Sequence, residues 1–305
     1  MNTSLLIATA DRPDQLAAVL RGLARCRRPE GEFEVIVADN GDDPGTATVC
    51  RDVADGLPVR YLAVTGRGKS IALNQAVESA TGDLLVFTDD DVEFDPDWLI
   101  ELCQAALDYP DHVLFGGRVL PLWPKGIPAR LDGSMYLGAL YTHLDRGDEP
   151  GPSVGLRPFG PNMAVRREVF EQGLRFDPKL GPGTTSGITM GDETEIAREL
   201  EAQGEIAVYV PQSRVYHRVN RRQLSLRWQL PRAVRYGRLL SHIEGPRAGS
   251  RLLGRRRWLY RDIASGLLAA AGNTVLGRRR IALDRLLGVA VSFGRAHAGG
   301  SLESR

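Results

Sequence analysis

The chain predicts an α/β fold: a largely parallel sheet covered by helices on both faces, followed by a basic helical extension. Three observations predict it. Short apolar runs alternate with segments of helical period through the first half. Those runs are almost continuously apolar, as strands buried on both faces are. Acidic residues stand directly after successive runs, where ligands of such sheets bind, beyond the carboxyl ends of the strands.

The elements follow in order. Residues 4–10 form an apolar run, and Asp11-Arg12-Pro13 is a turn with proline early in a helix. Residues 14–25 carry Leu16, Val19, Leu20 and Leu23 at helical spacing. Residues 33–38 form the second strand, which ends at Asp39-Asn40-Gly41; a short helix near 46–54 leads to the third strand, 59–64. A helix over 70–79 precedes the fourth strand, 84–88, which runs into Asp89-Asp90-Asp91, and Asp95-Pro96 with Trp98-Leu99-Ile100 announces another helix.

The second half is less regular. A strand is expected over 113–120, a loop-and-short-helix segment over 121–158, a strand over 159–165 and a helix over 167–172. Residues 181–191, with four glycines and Pro182, read as a loop; 192–203 as a helix; 206–210 and 215–217 as two extended pieces. The domains expected are residues 1–217 and 218–305.

Composition separates the same two parts. The 305 residues are 43% hydrophobic and 25% charged, ordinary for a globular protein, and the net charge is only +1. From Arg218 onward, however, 19 arginines face four acids, a net +15 that leaves −14 for the body. Arginine in that excess suits phosphate-bearing partners, because guanidinium binds oxyanions through two bonds. Arg255-Arg256-Arg257 and Arg278-Arg279-Arg280 bracket an apolar stretch at 263–276, and 224–240 mixes leucines and Trp228 with arginines around Pro231, where a kink is expected. These segments read as amphipathic helices lying on an anionic membrane surface, or alternatively as an Arg-rich helical extension packed on the body or on another subunit. No nucleic-acid motif accompanies the charge, and the acidic body speaks against a nucleic-acid partner.

Three widely spaced cysteines, Cys26, Cys50 and Cys103, fit neither a disulfide framework nor a zinc site. No charged-then-apolar leader opens the chain and no apolar run is long enough to span a bilayer. The expected location is cytoplasmic, peripheral at the inner face of the cell membrane.

Asp89, Asp90 and Asp91 carry the chemistry. Carboxylates so close together repel unless a cation sits among them. Their oxygens suit a hard divalent ion, Mg²⁺ or Mn²⁺, which takes substrate phosphates in its remaining positions. Alternatively they cap the helix that follows. Asp39 before Gly41 is equally the signature of a side-chain turn. The segment Thr65-Gly66-Arg67-Gly68-Lys69-Ser70 lacks the first glycine of a Walker loop, which excludes an NTPase of that type. A helix start at Lys69-Ser70 beside Arg67 still suits a pyrophosphate.

Five segments together resemble glycosyltransferase family 2, whose fold is the Rossmann-like GT-A fold. They are Leu6 through Pro13; Val35-Ile36-Val37-Ala38-Asp39-Asn40-Gly41; Gly68 through Ala76 with Asn74; Gly82-Asp83-Leu84 through Asp91; and Gly191-Asp192-Glu193-Thr194-Glu195. The resemblance spans about residues 1–217. It implies a metal-dependent, inverting transfer of a hexose-type sugar from a nucleotide-diphosphate donor to a glycan or lipid-linked acceptor. It further implies that Thr9, Asp11, Asp39, Arg67, Asn74, Asp89 and Asp90 face the donor, and that Asp91, Asp89 and His217 hold the metal. Ala10-Asp11 replaces the family's usual Thr-Tyr-Asn-Arg ending, which leaves base contacts from that loop open.

Asp192 and Glu193 resemble the family's acidic pair with the two acids exchanged. Glu193 is the base by position and Asp192 by side-chain type; Asp192 is preferred for its place at the helix edge, although acids there also suit the helix dipole. The segment Phe159-Gly160-Pro161-Asn162-Met163-Ala164 resembles the strand lining the acceptor side. Trp123 and Tyr136 either stack on a sugar face or take the packing role that is the default for aromatics. The rival readings are a catalytically silent glycan-binding or scaffolding member and a sugar-phosphate nucleotidyltransferase. The second lacks its Gly-rich stretch after the first strand, and a nicotinamide dehydrogenase lacks its G-x-G-x-x-G.

Overall fold

The computed structural model describes residues 1–52, 56–245, 249–252 and 255–297. Residues 53–54 of the expected second helix, and Arg247, Glu303 and Arg305 of the basic tail, lie outside them. The chain divides into two units, residues 1–121 with 144–218, and residues 122–143 with 219–305. The segment 122–143 thus groups with the C-terminal residues.

The first unit begins with β1 (Thr3–Thr9), α1 (Pro13–Leu23), β2 (Phe33–Asp39), α2 (Gly45–Asp52), β3 (Val59–Ala63), α3 (Lys69–Ser79) and β4 (Leu84–Thr88). It continues with β5 (Val92–Phe94), α4 (Trp98–Asp108) and β6 (Leu114–Leu122). After the second unit's α5 (Leu137–Tyr141) come β7 (Gly151–Pro152), β8 (Met163–Arg166), α6 (Arg167–Glu171), α7 (Asp192–Ala202) and β9 (Val208–Arg218).

One nine-stranded sheet has the order β3-β2-β1-β4-β8-β6-β9-β5, with β7 beside β9. The pairs β2–β3, β1–β2 and β1–β4 are parallel, as the strand–helix alternation requires. Beyond β4 the pairs β4–β8, β6–β8, β5–β9 and β7–β9 are antiparallel. Two further details depart from the sequence reading. Residues 160–162 make a turn of 3₁₀ helix before β8, because Pro161 sits inside the expected strand. The two extended pieces around Pro211 are the single strand β9.

Successive side chains of a strand point to opposite faces, so each face builds its own core. Leu5, Ile7, Val35, Val37, Leu84 and Val86 pack with Leu16, Leu20, Trp98 and Leu102 of α1 and α4. Leu6, Ile36, Ala38, Leu85 and Phe87 pack with Ala72, Leu73, Ala76, Ile196 and Leu200 of α3 and α7. Burial of each large apolar side chain contributes about 1.5–3 kcal/mol, which makes these strands the rigid floor of the unit. Cys26, Cys50 and Cys103 are free thiols, the last two buried.

The second unit holds α5, α8 (Leu226–Glu244), a two-stranded ribbon of β10 (Arg251–Leu252) and β11 (Arg255–Arg256), α9 (Arg257–Val275) and α10 (Arg279–His297). Helix α8 runs through Pro231 as one element. Leu131, Leu140, Tyr141, Ala233, Leu283, Leu287 and Val291 form its core. Trp123 and Tyr136 take the packing role in this cluster; Trp123 lies edge-on to Tyr141 with ring centres 4.9 Å apart. Among the described residues no helix is long and apolar enough to cross a membrane.

Candidate active site

Sheet register brings the acids together. In the parallel set Thr9 is level with Asp39, and Ile7 with Thr88, so the residues after β1, β2 and β4 emerge along one edge. Asp90, two residues past β4, accepts a 2.7 Å hydrogen bond from the Thr9 hydroxyl and a 3.1 Å bond from the Arg12 guanidinium. Burial pushes the Asp90 carboxyl up to about 6, against the opposing pull of Thr9 and Arg12. Asp91 lies 3.9 Å from Arg12, and its Oδ1 is 3.6 Å from His217 Nε2. Burial raises the Asp91 carboxyl, but His217, Arg12 and Lys69 overcome it and hold the group below its usual range.

Lys69 joins this cluster to the start of α7. Its ammonium stands 2.7 Å from Asp89 Oδ1, 3.0 Å from Glu193 Oε1 and 3.9 Å from Asp192 Oδ2. Burial disfavours the charge on Lys69, yet the three carboxylates together raise its proton affinity well above normal. The lysine is held by its own backbone, which donates to Pro182 O at 2.9 Å, and by Ser70, whose hydroxyl donates to Leu180 O at 2.7 Å. The 180–182 turn therefore fixes the first residues of α3 beneath the first turn of α7.

The two acids of α7 differ in environment. Asp192 is sealed, its side chain 2% exposed against 13% for Glu193, and its Oδ2 has no hydrogen-bond partner. Burial and the neighbouring Glu193 raise the Asp192 carboxyl well above the usual range. For Glu193 burial again opposes charge, but Lys69 and a hydrogen bond from Asp192 prevail and hold it at about 2. Proton affinity within the pair is thus shifted toward Asp192 and away from Glu193. Both carboxyls need small neighbours. A Cβ at Gly160 would overlap Glu193 Oε1, and one at Gly181, where φ is +92°, would stand 2.9 Å from Asp192 Cγ.

The other expected site residues fall around this cluster. Asp39 is buried at the end of β2; Oδ1 accepts from Gly41 N at 3.0 Å and Oδ2 from the Tyr61 hydroxyl at 3.2 Å. The side-chain turn foreseen at Asp39 is therefore present, and one oxygen remains turned to Tyr61. Asp11, at a φ of +55°, uses Oδ1 to accept from Asp42 N and Asp43 N, tying the first loop to the second. Arg67 is exposed and paired with Asp42. Asn74 is not brought to the aspartates: its amide donates to Phe176 O at 2.8 Å and accepts from Phe176 N at 2.9 Å. The expected metal set of Asp89, Asp91 and His217 does not gather into a three-ligand group among the described residues. Asp89 pairs instead with the Lys69 ammonium, 2.7 Å away.

Arg12 and Tyr61 were not foreseen as site residues, and Lys69 only as part of a helix start suited to a pyrophosphate. Arg12 carried a signal, standing beside the first proline, and Lys69 carried one in its place at a helix start. Tyr61 carried none.

Residues 4–174 match the family described as Glycosyl transferase family 2. The chain belongs to glycosyltransferase family 2. Among similar curated proteins of this family's chemistry, the glucosyl-dolichyl phosphate glucuronosyltransferase of Haloferax volcanii is 25% identical over 76% of this chain and 68% of its own. The succinoglycan biosynthesis protein ExoM of Rhizobium meliloti is 28% identical over 77% of this chain and 74% of its own. Among solved structures, the mannosyltransferase PcManGT of Pyrobaculum calidifontis, in complex with GDP-Man and Mn²⁺, superposes with a TM-score of 0.65 at 18% identity, over 95% of this chain and 85% of that one. TarS 1-349 of S. aureus with UDP gives 0.56 at 13% identity, over 96% and 89%. These likenesses show the GT-A fold. The glycosyltransferase is thus an enzyme of nucleotide-sugar transfer, with its acids gathered at the edge where β1, β2 and β4 end.

Proposed function

We propose that this family 2 enzyme is a metal-dependent, inverting glycosyltransferase that moves a hexose-type sugar from a nucleotide diphosphate to a glycan or lipid-linked acceptor. The observation that carries the reading is Lys69, whose contacts to Asp89 and Glu193 bring the acids after β4 against the acids that open α7. Donor chemistry and acceptor chemistry then share one site.

Asp91 and His217 fit a hard divalent cation, Mn²⁺ or Mg²⁺. Two ligands of one such ion, each at about 2.1 Å, lie at most about 4.2 Å apart, and these donor atoms are 3.6 Å apart. With only two protein ligands so near each other, the remaining positions suit diphosphate oxygens and water. When bound, such an ion supplies Lewis-acid neutralisation of the departing diphosphate. A name among the solved neighbours, PcManGT with GDP-Man and Mn²⁺, supports this assignment.

The chain's own residues do the rest. Asp39 and Tyr61 receive the base of the nucleotide, and Asp89 the ribose side. Arg12 and Lys69 are cations placed to steady the diphosphate; Lys69 is the better shielded and so the stronger partner. Glu193 is the base. It is charged, the more exposed of the two acids, and adjacent to Gly160 of the acceptor-side segment. Asp192 behind it holds a proton and orients it. A diphosphate that draws on Lys69 loosens its hold on Glu193 and raises the basicity of that carboxylate toward the acceptor hydroxyl. Attack by that hydroxyl from the face opposite the diphosphate inverts the anomeric carbon in one displacement.

The test is donor binding and nucleotide release with and without Mn²⁺. Chelator and Asp91→Ala should each abolish turnover. Donor binding and turnover untouched by both would overturn the metal-dependent reading.

A further inference from the structure

We infer that the exposed face of α9 is a docking surface for an anionic lipid membrane. Helix α9 packs one side on α10, where Asp262 accepts from Ser292 of α10 at 3.3 Å. The opposite side carries Ala264, Leu267, Leu268, Ala271 and Val275 in one stripe, continued by Leu276. Leu268, Val275 and Leu276 are 75%, 87% and 65% exposed, high values for large apolar side chains clustered on one helix. Arginines close the stripe at both ends. Arg257 and Arg261 are exposed in the first turns, and Arg278, Arg279 and Arg280 are exposed just past the last. Between residues 257 and 280 the only acid is Asp262, which pairs with Arg261 at 3.4 Å and accepts from Ser292 of α10, leaving Arg257 and Arg278 to Arg280 as the cations that no acid of this stretch offsets.

Charge decides the occupant. Both ends of the stripe are cationic, so two copies of this helix laid stripe to stripe, in either direction, set arginine against arginine. A bilayer surface rich in anionic headgroups answers both features: acyl chains receive the leucines and valine, and phosphates receive the guanidinium groups. The helix lies in the interface rather than across the bilayer, since it is too short in apolar run to span it. The inference does not depend on the catalytic reading.

The experiment uses the full chain and co-sedimentation with phosphatidylcholine vesicles, with and without phosphatidylglycerol. Binding is expected to the anionic vesicles alone and to weaken with salt. Leu268→Glu with Val275→Glu should weaken it about tenfold or more. Arg278→Gln with Arg279→Gln should weaken it roughly 10- to 30-fold, each surface arginine making its usual contribution. Arg280 is left in place because it donates to Gly133 O. Circular dichroism and nucleotide release in solution should stay at parent levels for both variants, which separates this inference from the catalytic one. No vesicle binding, or binding indifferent to the Leu268 and Val275 changes, overturns the proposal. So does a dimer in light scattering that those changes dissolve while vesicles go unbound, which would assign the stripe to a second copy.

Discussion

The ammonium of Lys69 links Asp89 at 2.7 Å to Glu193 at 3.0 Å, partners 20 and 124 residues away along the chain. Removing it leaves buried carboxylates facing one another. Lys69→Met is expected to cost about 3 kcal/mol of folding stability, read from a denaturation midpoint, and to reduce nucleotide release by at least about 100-fold. Adding Asp89→Asn to Lys69→Met should recover stability without activity, because it removes a stranded charge. A Lys69→Met protein of parent stability would show that the three acids do not depend on the cation.

Asn74 makes the contrasting prediction. Both its amide atoms serve the Phe176 backbone. Asn74→Ala strands a backbone N–H and C=O and should cost about 1–3 kcal/mol, with KM for the donor near the parent value. A large rise in KM at unchanged stability would instead put Asn74 on the donor.

Gly160 tests the base. A methyl there overlaps Glu193 Oε1, so Gly160→Ala should displace the carboxylate and lower kcat by about tenfold or more, leaving donor affinity unchanged. Glu193→Gln should lower kcat by about 100-fold or more, and Asp192→Asn by less. The reverse order of these two variants would make Asp192 the base.

Glu34 carries a pH signature away from the site. Burial raises its carboxyl, but hydrogen bonds from Ser4, Thr81 and Arg60 win and hold it below the ordinary value of 4.5. A depressed carboxyl stabilises the fold above its unfolded value and loses that contribution as pH falls through the folded one. Glu34→Gln should therefore cost about 1–2 kcal/mol near neutrality. The gap from the parent should close in urea titrations run progressively below pH 4.5.

Much of the fold was legible because it rests on local patterns. The runs at β1, β2 and β4 and the spacing in α1 and α3 are apolar periodicities, and acids after strand ends follow from the direction of parallel strands. Strand direction beyond β4 leaves no such trace; an apolar run reads the same whether its neighbour runs with or against it. The extended pieces at 206–210 and 215–217 are one strand, β9, which passes through Pro211. The acidic cluster of the candidate site was legible where acids advertise themselves, at Asp89, Asp90, Asp91, Asp192 and Glu193. Lys69 was legible only as a helix start suited to a pyrophosphate; its ties to three acids come from the 180–182 turn that receives its backbone and from α7 beyond it. The partner of Asn74 was not legible either: its amide bonds to a backbone 102 residues away along the chain.

The ladder between β1 and β4 has a consequence for how this enzyme can vary. Because Ile7 pairs with Thr88, the aspartates advance only in whole steps of the strand. Deleting one residue within 84–88 would turn the next acid to the wrong side, exchanging the partner of Thr9 for that of Lys69. Specificity can drift through the turns around the sheet, while the spacing of its charges is inherited in discrete units.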